Sequence, residues 1–143
     1  MVNYHRSRND SIISLMNRGL LSPVRIEYMA EAGLLTETVV HELTTRHHAL
    51  LTDIALRELI YRGQLSYFSV AFLRIENRIT NRIFRYFAKY ADRIEIYAAR
   101  YLLGEPRCPV VFLTACARKH PDESVREKAL RKLLDRKITE FVK

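Results

Sequence analysis

Apolar residues recur along the chain at steps of three and four, in short blocks separated by Gly, Pro and Ser or Thr, which is the signature of amphipathic helices with brief connections. The first helix is predicted from Asp10 or Ser11 through Ile12, Ile13, Leu15 and Met16 to a stop at Gly19. Ser22-Pro23 opens the second, because Pro fits a first turn and Ser accepts from free amides, with Val24, Ile26, Met29 and Ala30 inward and Gly33 closing it. Thr36 caps a third over Thr38 to Thr45, with Val39, Val40 and Leu43 inward. A fourth runs from about His48 to Tyr61, with Leu51, Ile54, Ala55 and Leu59 at helical spacing and Gly63 ending it. Ser66 to about Asn77 repeats the Ser22 helix with Phe68, Phe72 and Leu73 in place of smaller residues. Thr80 to Tyr90 and Asp92 to Leu103 follow, joined by little more than a kink; Gly104-Glu105-Pro106 is the clearest break. Cys108 to Lys119, a Pro121-Asp122 turn and a helix over Glu123 to Arg136 complete the pattern, with 138–143 expected to fray.

Several of these blocks are copies of one another. Ala55-Leu56-Arg57-Glu58-Leu59-Ile60, Ala98-Ala99-Arg100-Tyr101-Leu102-Leu103 and Ala129-Leu130-Arg131-Lys132-Leu133-Leu134 share one pattern, and Leu15 to Ser22 returns 44 positions later as Leu59 to Ser66. Such self-similarity announces stacked helical units, each completing its neighbour's core. Successive motifs lie 43 and then 31 positions apart, so one connecting helix is expected to be absent from the final unit. Ala55, Ala98 and Ala129 are expected at close helix contacts, and Leu59, Leu102 and Leu133 in the core.

The segments from Asp92 and from His120 resemble helices of HEAT-like and leucine-rich-variant repeats, in which a Pro-Asp turn precedes a Val-Arg pair and an Ala and a Leu pack between units. His120-Pro121-Asp122 with Val125-Arg126 carries the match; the copy at Asp92 has Ile94-Glu95 instead, and the copy at Ala55 lacks the Pro-Asp turn. The resemblance implies an all-α fold, a compact right-handed stack of about eight or nine short helices forming a HEAT-like α-solenoid, used for binding and without an inherited catalytic residue.

Composition agrees. With 143 residues, 48% hydrophobic and 28% charged, the chain suits one globular domain over 1–143, and four Gly and four Pro are too few for the turns of a sandwich or barrel. The longest nearly apolar run, Cys108 to Ala117, is about half a membrane span. Met1 to Arg8 lacks the apolar core of a signal peptide. Cys108 and Cys116, expected on one helix and too far apart there to bridge, read as small buried hydrophobes in a reducing cytosol. A cytoplasmic location follows as an expectation.

Charge changes the picture more. The net charge is +8, yet residues 1–73 carry seven Lys/Arg against seven Asp/Glu, while 74–143 carry seventeen against nine. On one continuous helix Arg74, Arg78, Arg82, Arg85, Lys89 and Arg93 would form a single cationic stripe bordering a seam of Ile75, Ile79, Ile83, Tyr86, Phe87 and Tyr90. Such a ridge suits an acidic protein face, or alternatively nucleic-acid phosphates. Interleaved rings (Tyr61, Tyr67, Phe68, Phe72, Phe84, Tyr86, Phe87, Tyr90, Tyr97, Tyr101) sit at spacings that favour the core over base stacking.

Other constellations carry less. Met29 to Leu43 resembles a helix-turn-helix around Gly33, but its recognition helix offers Glu37 and Glu42 where bases want donors. His41, His47 and His48 lack a nearby Cys and suit capping or surface roles better than zinc. Glu27 and Glu31 share a helix face, as a pair does in most helices, and no phosphate loop or nucleophile arrangement is present. The expected function is a small non-catalytic adaptor that binds a protein partner, with the six-residue stripe as its basic surface and nucleic-acid binding as the alternative. No cofactor, metal, membrane or small-molecule substrate is implied.

Overall fold

The computed structural model describes the backbone of residues 4–142 and the side chains of 8–137. Within them lie nine α-helices and no strand: α1 (Tyr4–Asn17), α2 (Pro23–Glu31), α3 (Glu37–Arg46), α4 (Asp53–Tyr61), α5 (Tyr67–Ile75), α6 (Asn81–Lys89), α7 (Ile96–Leu103), α8 (Val110–Lys119) and α9 (Glu123–Val142). Single 3-10 turns, His48–Leu50 and Ala91–Arg93, precede α4 and α7.

Local chemistry accounts for the boundaries. The hydroxyls of Ser22, Thr36, Thr52, Ser66 and Thr80 each accept from the backbone amide three residues on, and the Glu95 carboxylate does the same for α7. Each removes an orphan donor from a helix start, a contribution of about 1 kcal/mol. At the other ends Gly19, Gly33, Gly63 and Asn77 take the left-handed conformation. The amide after each bonds back five residues, as in Leu34 to Met29 and Gln64 to Leu59, closing the last turn.

Neighbours in space are not neighbours in sequence. Each helix packs on the one two places along, so α1, α3, α5, α7 and α9 form one row and α2, α4, α6 and α8 another, with α8 against α9 at the end. Counting from the N-cap as zero, α3, α5, α7 and α9 bury position three (Val39, Ser69, Ala98, Val125) and position seven (Leu43, Leu73, Leu102, Ala129). In the other row α4, α6 and α8 bury positions three, four and seven, including Ala55 and Leu59 of α4 and Ile83 and Phe87 of α6. Both rows thus direct their apolar stripes into one shared core.

Two periods therefore coexist. The sequence echo of 43 to 44 residues is a repeat of connections: Gly19, Gly33 and the turn at His48 recur as Gly63, Asn77 and the turn at Ala91, one set per three helices. The packing repeat spans two helices. Side-chain hydrogen bonds between elements accordingly span 25 to 32 residues, from Thr52 to Glu27 up to Arg93 to Tyr61. Two helices separate α4 from α7 and one separates α7 from α9, the shortening read from the motif spacing.

Several expectations are corrected. The helix expected from Asp10 begins at Tyr4, and Thr52 caps a fresh helix where one run from His48 was expected. Helix α9 continues through Val142, while Lys143 lies outside the described residues. Val24 is 75% exposed, because position two from the N-cap faces outward in this row, as it does at Ile54, Arg82 and Val111. Ala55, Ala98, Ala129, Leu59 and Leu102 are fully buried, but Leu133 only partly. Cys108 precedes α8, held off it by Pro109, although both cysteines are buried and free.

Candidate functional site

The continuous helix required for a six-residue cationic stripe does not form. α5 ends at Ile75, Asn77 reverses the backbone at φ 59°, and a 3-10 turn separates α6 from α7. The six cations are consequently dispersed. Arg74 pairs with Glu105 and donates to the Tyr101 hydroxyl at 3.1 Å. Arg78 reaches back to the carbonyls of His48 and Leu51. Arg93 donates to the Tyr61 carbonyl at 2.8 Å. Only Arg82, Arg85 and Lys89 share an exposed face, that of α6, where Arg82 lies 3.7 Å from Asp53 and Lys89 stacks on Tyr90.

Arg93 belongs to a series. Arg62 donates to the Glu31 carbonyl at the end of α2, Arg93 to Tyr61 at the end of α4, and Lys119 to Ala88 and Lys89 at the end of α6. Each cation meets carbonyls that the helix leaves unpaired, at the negative end of the peptide dipoles. Part of the basic excess that begins at Arg74 thus ties successive helices of one row together. Two of the left-handed glycines are shaped to this: a Cβ on Gly33 would stand 2.7 Å from Arg62 Nη1, and one on Gly63 2.9 Å from the Arg93 carbonyl oxygen.

The other row presents a different surface. Tyr67 and Phe68 of α5, Tyr97, Arg100 and Tyr101 of α7 and Lys128 of α9 line an open groove of about 480 Å³ with mainly apolar walls. Tyr67 meets Phe68 and Tyr101 edge-to-face, with ring centroids 5.5 and 5.3 Å apart. Phe68 is 62% exposed and Tyr97 67%. The expectation that most rings are core is therefore corrected: Phe84 and Phe87 are buried, whereas Tyr61, Tyr67, Phe68, Phe72 and Tyr97 are exposed. Spacing alone does not distinguish them, because position two of this row, where Phe68 and Tyr97 stand, is exposed in all four helices as regularly as three and seven are buried.

Cations rim the groove. Lys128 donates to the Arg100 carbonyl at 3.3 Å, and burial, then the positive charges of Lys132 and Arg100, hold its ammonium below the ordinary lysine range. Arg74 stands 5.7 Å from the centre of the Tyr101 ring. Beside it, over α3, a groove of about 570 Å³ with mixed walls is lined by Glu37, His41, Glu42, Gln64, Ser66 and Glu95, among others. There the Glu42 Oε2 and Gln64 Oε1 atoms are buried without a hydrogen-bond donor among the described residues.

His47, His48 and His120 each meet a residue of another element. His47 ends α3 and meets Asn17 at 2.9 Å, His48 lies 3.4 Å from Glu76, and no three metal-ligating side chains cluster among the described residues. His120, buried between α8 and α9, bonds the Ile94 carbonyl through Nε2 and accepts the Asp122 amide at Nδ1, which fixes its tautomer. Glu27 accepts from Thr52 at 2.9 Å. No described helix is long and apolar enough to cross a membrane. No protein family, curated protein or solved structure matches this chain, so its own geometry carries the functional reading.

Proposed function

We propose that this chain is a non-catalytic cytoplasmic adaptor, a HEAT-like α-solenoid that binds a protein partner on the outer face of α5, α7 and α9. The observation that carries this reading is the exposed aromatic groove of Tyr67, Phe68, Tyr97 and Tyr101. Tyr, Phe and Arg dominate the centres of protein interfaces because they bury large areas with few rotatable bonds and still offer a polar edge. Here the rings stand on helices whose opposite faces are locked in the core, so little ordering is needed on binding. The solenoid part of the reading is supported by the Pro121-Asp122 turn, whose Asp carboxylate caps α9 while Val125 is buried and Arg126 donates to the His120 and Pro121 carbonyls. Buried free thiols support the cytoplasmic location.

The exposed Arg82, Arg85 and Lys89 on α6 supply the basic part of the surface and favour the second reading, nucleic-acid binding by that helix. Panning a displayed random-peptide library, and in parallel titrating a labelled single-stranded RNA, separates the two. Peptides enriched on the wild type and lost on a Phe68→Ser/Tyr97→Ser variant support the adaptor. RNA retained with steep salt dependence, and lost on Arg82→Glu/Arg85→Glu/Lys89→Glu, with no peptide enriched, overturns it.

A further inference from the structure

The two grooves on the α3-α5-α7-α9 row adjoin. Ser66 and Ser69 of α5 line one while Tyr67 and Phe68 line the other, and Glu95 and Tyr97 divide in the same way at the start of α7. Position six from the N-cap reads Glu42, Phe72, Tyr101 and Lys128 across the four helices, and position five reads His41, Ala71, Arg100 and Glu127. The face thus carries Glu37 and Glu42 at α3 and aromatic rings in the middle, while at α7 and α9 Arg100, Lys128 and Lys132 outnumber Glu127. Two features keep the ends distinct. Every charge acting appreciably on Lys128 is positive, and the Glu42 and Gln64 oxygens at the other end are short of donors. Arg46, 3.7 Å from Glu42 and itself largely exposed, neutralises that end only in part, since Glu37 and Glu95 also line it.

We infer that this face takes a polypeptide segment that is itself charge-segregated, with basic residues over α3, an apolar side chain among Tyr67, Phe68, Tyr97 and Tyr101, and acidic residues toward Arg100 and Lys128. The inference rests on the adaptor reading and adds the chemistry and the lie of the partner. A nucleic acid does not fit the same face, because its phosphates would run over Glu37, Glu42 and Glu95, and like-charge juxtaposition penalises a wrong partner. A segment lying across the row meets opposite charge at each end and aromatic rings between, so the ends set its direction while the centre supplies most of the affinity.

Three labelled synthetic peptides of one composition test this. One carries three lysines, a Leu-Trp centre and three glutamates; the second has that order reversed along the chain; the third alternates the charges around the same centre. One of the two segregated peptides is expected to bind about tenfold more tightly than the alternating one, as two or three exposed ion pairs allow. Arg100→Glu combined with Glu37→Lys, both at exposed positions, is expected to reverse which segregated peptide is preferred. Equal affinity for all three, abolished by Phe68→Ser/Tyr97→Ser, overturns the charge reading and leaves the adaptor standing. Binding by none of the three, or a single-stranded RNA displaced from this face by Phe68→Ser, overturns the inference as well, and the library panning then decides the adaptor separately.

Discussion

The guanidinium of Arg93 lies 4.2 Å from the centre of the Tyr61 ring while donating to the carbonyl of that same residue at 2.8 Å. One side chain thereby covers both the ring and the carbonyl at the end of α4, and it arrives from the linker that follows α6. Arg93→Ala is expected to destabilise the protein by about 1 to 2 kcal/mol, the sum of a carbonyl hydrogen bond and a stacked cation. Arg93→Lys should recover part of this. Urea midpoints measure both; an unchanged midpoint for the alanine variant would show that water replaces the contact without loss.

Gly19 and Gly63 share a left-handed backbone, at φ 69° and 66°, but differ in surroundings. A Cβ on Gly19 meets nothing within 4 Å, whereas one on Gly63 meets the Arg93 carbonyl oxygen at 2.9 Å. Gly19→Ala should cost about 1 to 2 kcal/mol from backbone conformation alone, and Gly63→Ala about 2 to 4 kcal/mol because backbone must also move. Thermal melts of the two variants check the order, which equal losses would contradict.

His120 satisfies two backbone groups at once, the buried Ile94 carbonyl and the half-buried Asp122 amide. His120→Phe keeps the ring volume but leaves both groups unpaired, so a loss of about 2 to 4 kcal/mol is expected. A variant as stable as the wild type would mean that packing, and not the hydrogen bonds, holds the α8–α9 junction.

Burial pushes the Cys108 thiol up to about 11 and the Cys116 thiol up to about 12, from 9.0. Because the folded values lie above the unfolded one, the stabilisation is complete below about pH 9 and is lost as pH rises through 11 and 12. Alkaline unfolding should therefore be shallower in a Cys108→Ala/Cys116→Ala variant than in the wild type. At neutral pH a thiol reagent should label the native protein slowly and the denatured protein fast; equal rates would place the thiols in solvent.

Exposed and buried apolar side chains should respond oppositely. Phe68→Ser and Tyr97→Ser are expected to change stability by less than about 0.5 kcal/mol, whereas Leu59→Ala and Leu102→Ala should each lose about 2 to 5 kcal/mol. Denaturant titration of the four variants tests this, and a large loss for Tyr97→Ser would show that the groove is part of the core.

Much of the architecture was legible in the chain itself. Ser22, Thr36, Ser66 and Thr80 start helices and Gly19, Gly33 and Gly63 end them because capping is settled within five residues, by hydrogen bonds the segment makes with itself. The motif spacing likewise showed that the last unit lacks a helix. What the tertiary structure decided lies between helices. Arg93 has the same side chain as Arg85, yet it is tied to a carbonyl 32 residues back while Arg85 faces solvent, and no local pattern separates them. Phe68 and Phe84 are equally apolar, and one lines an open groove while the other packs on Phe112. Amphipathic period tells that a helix has an inner face; only the packing of every second helix, through partners some thirty residues away, determines which residues that face contains and where each long cation finds its oxygen.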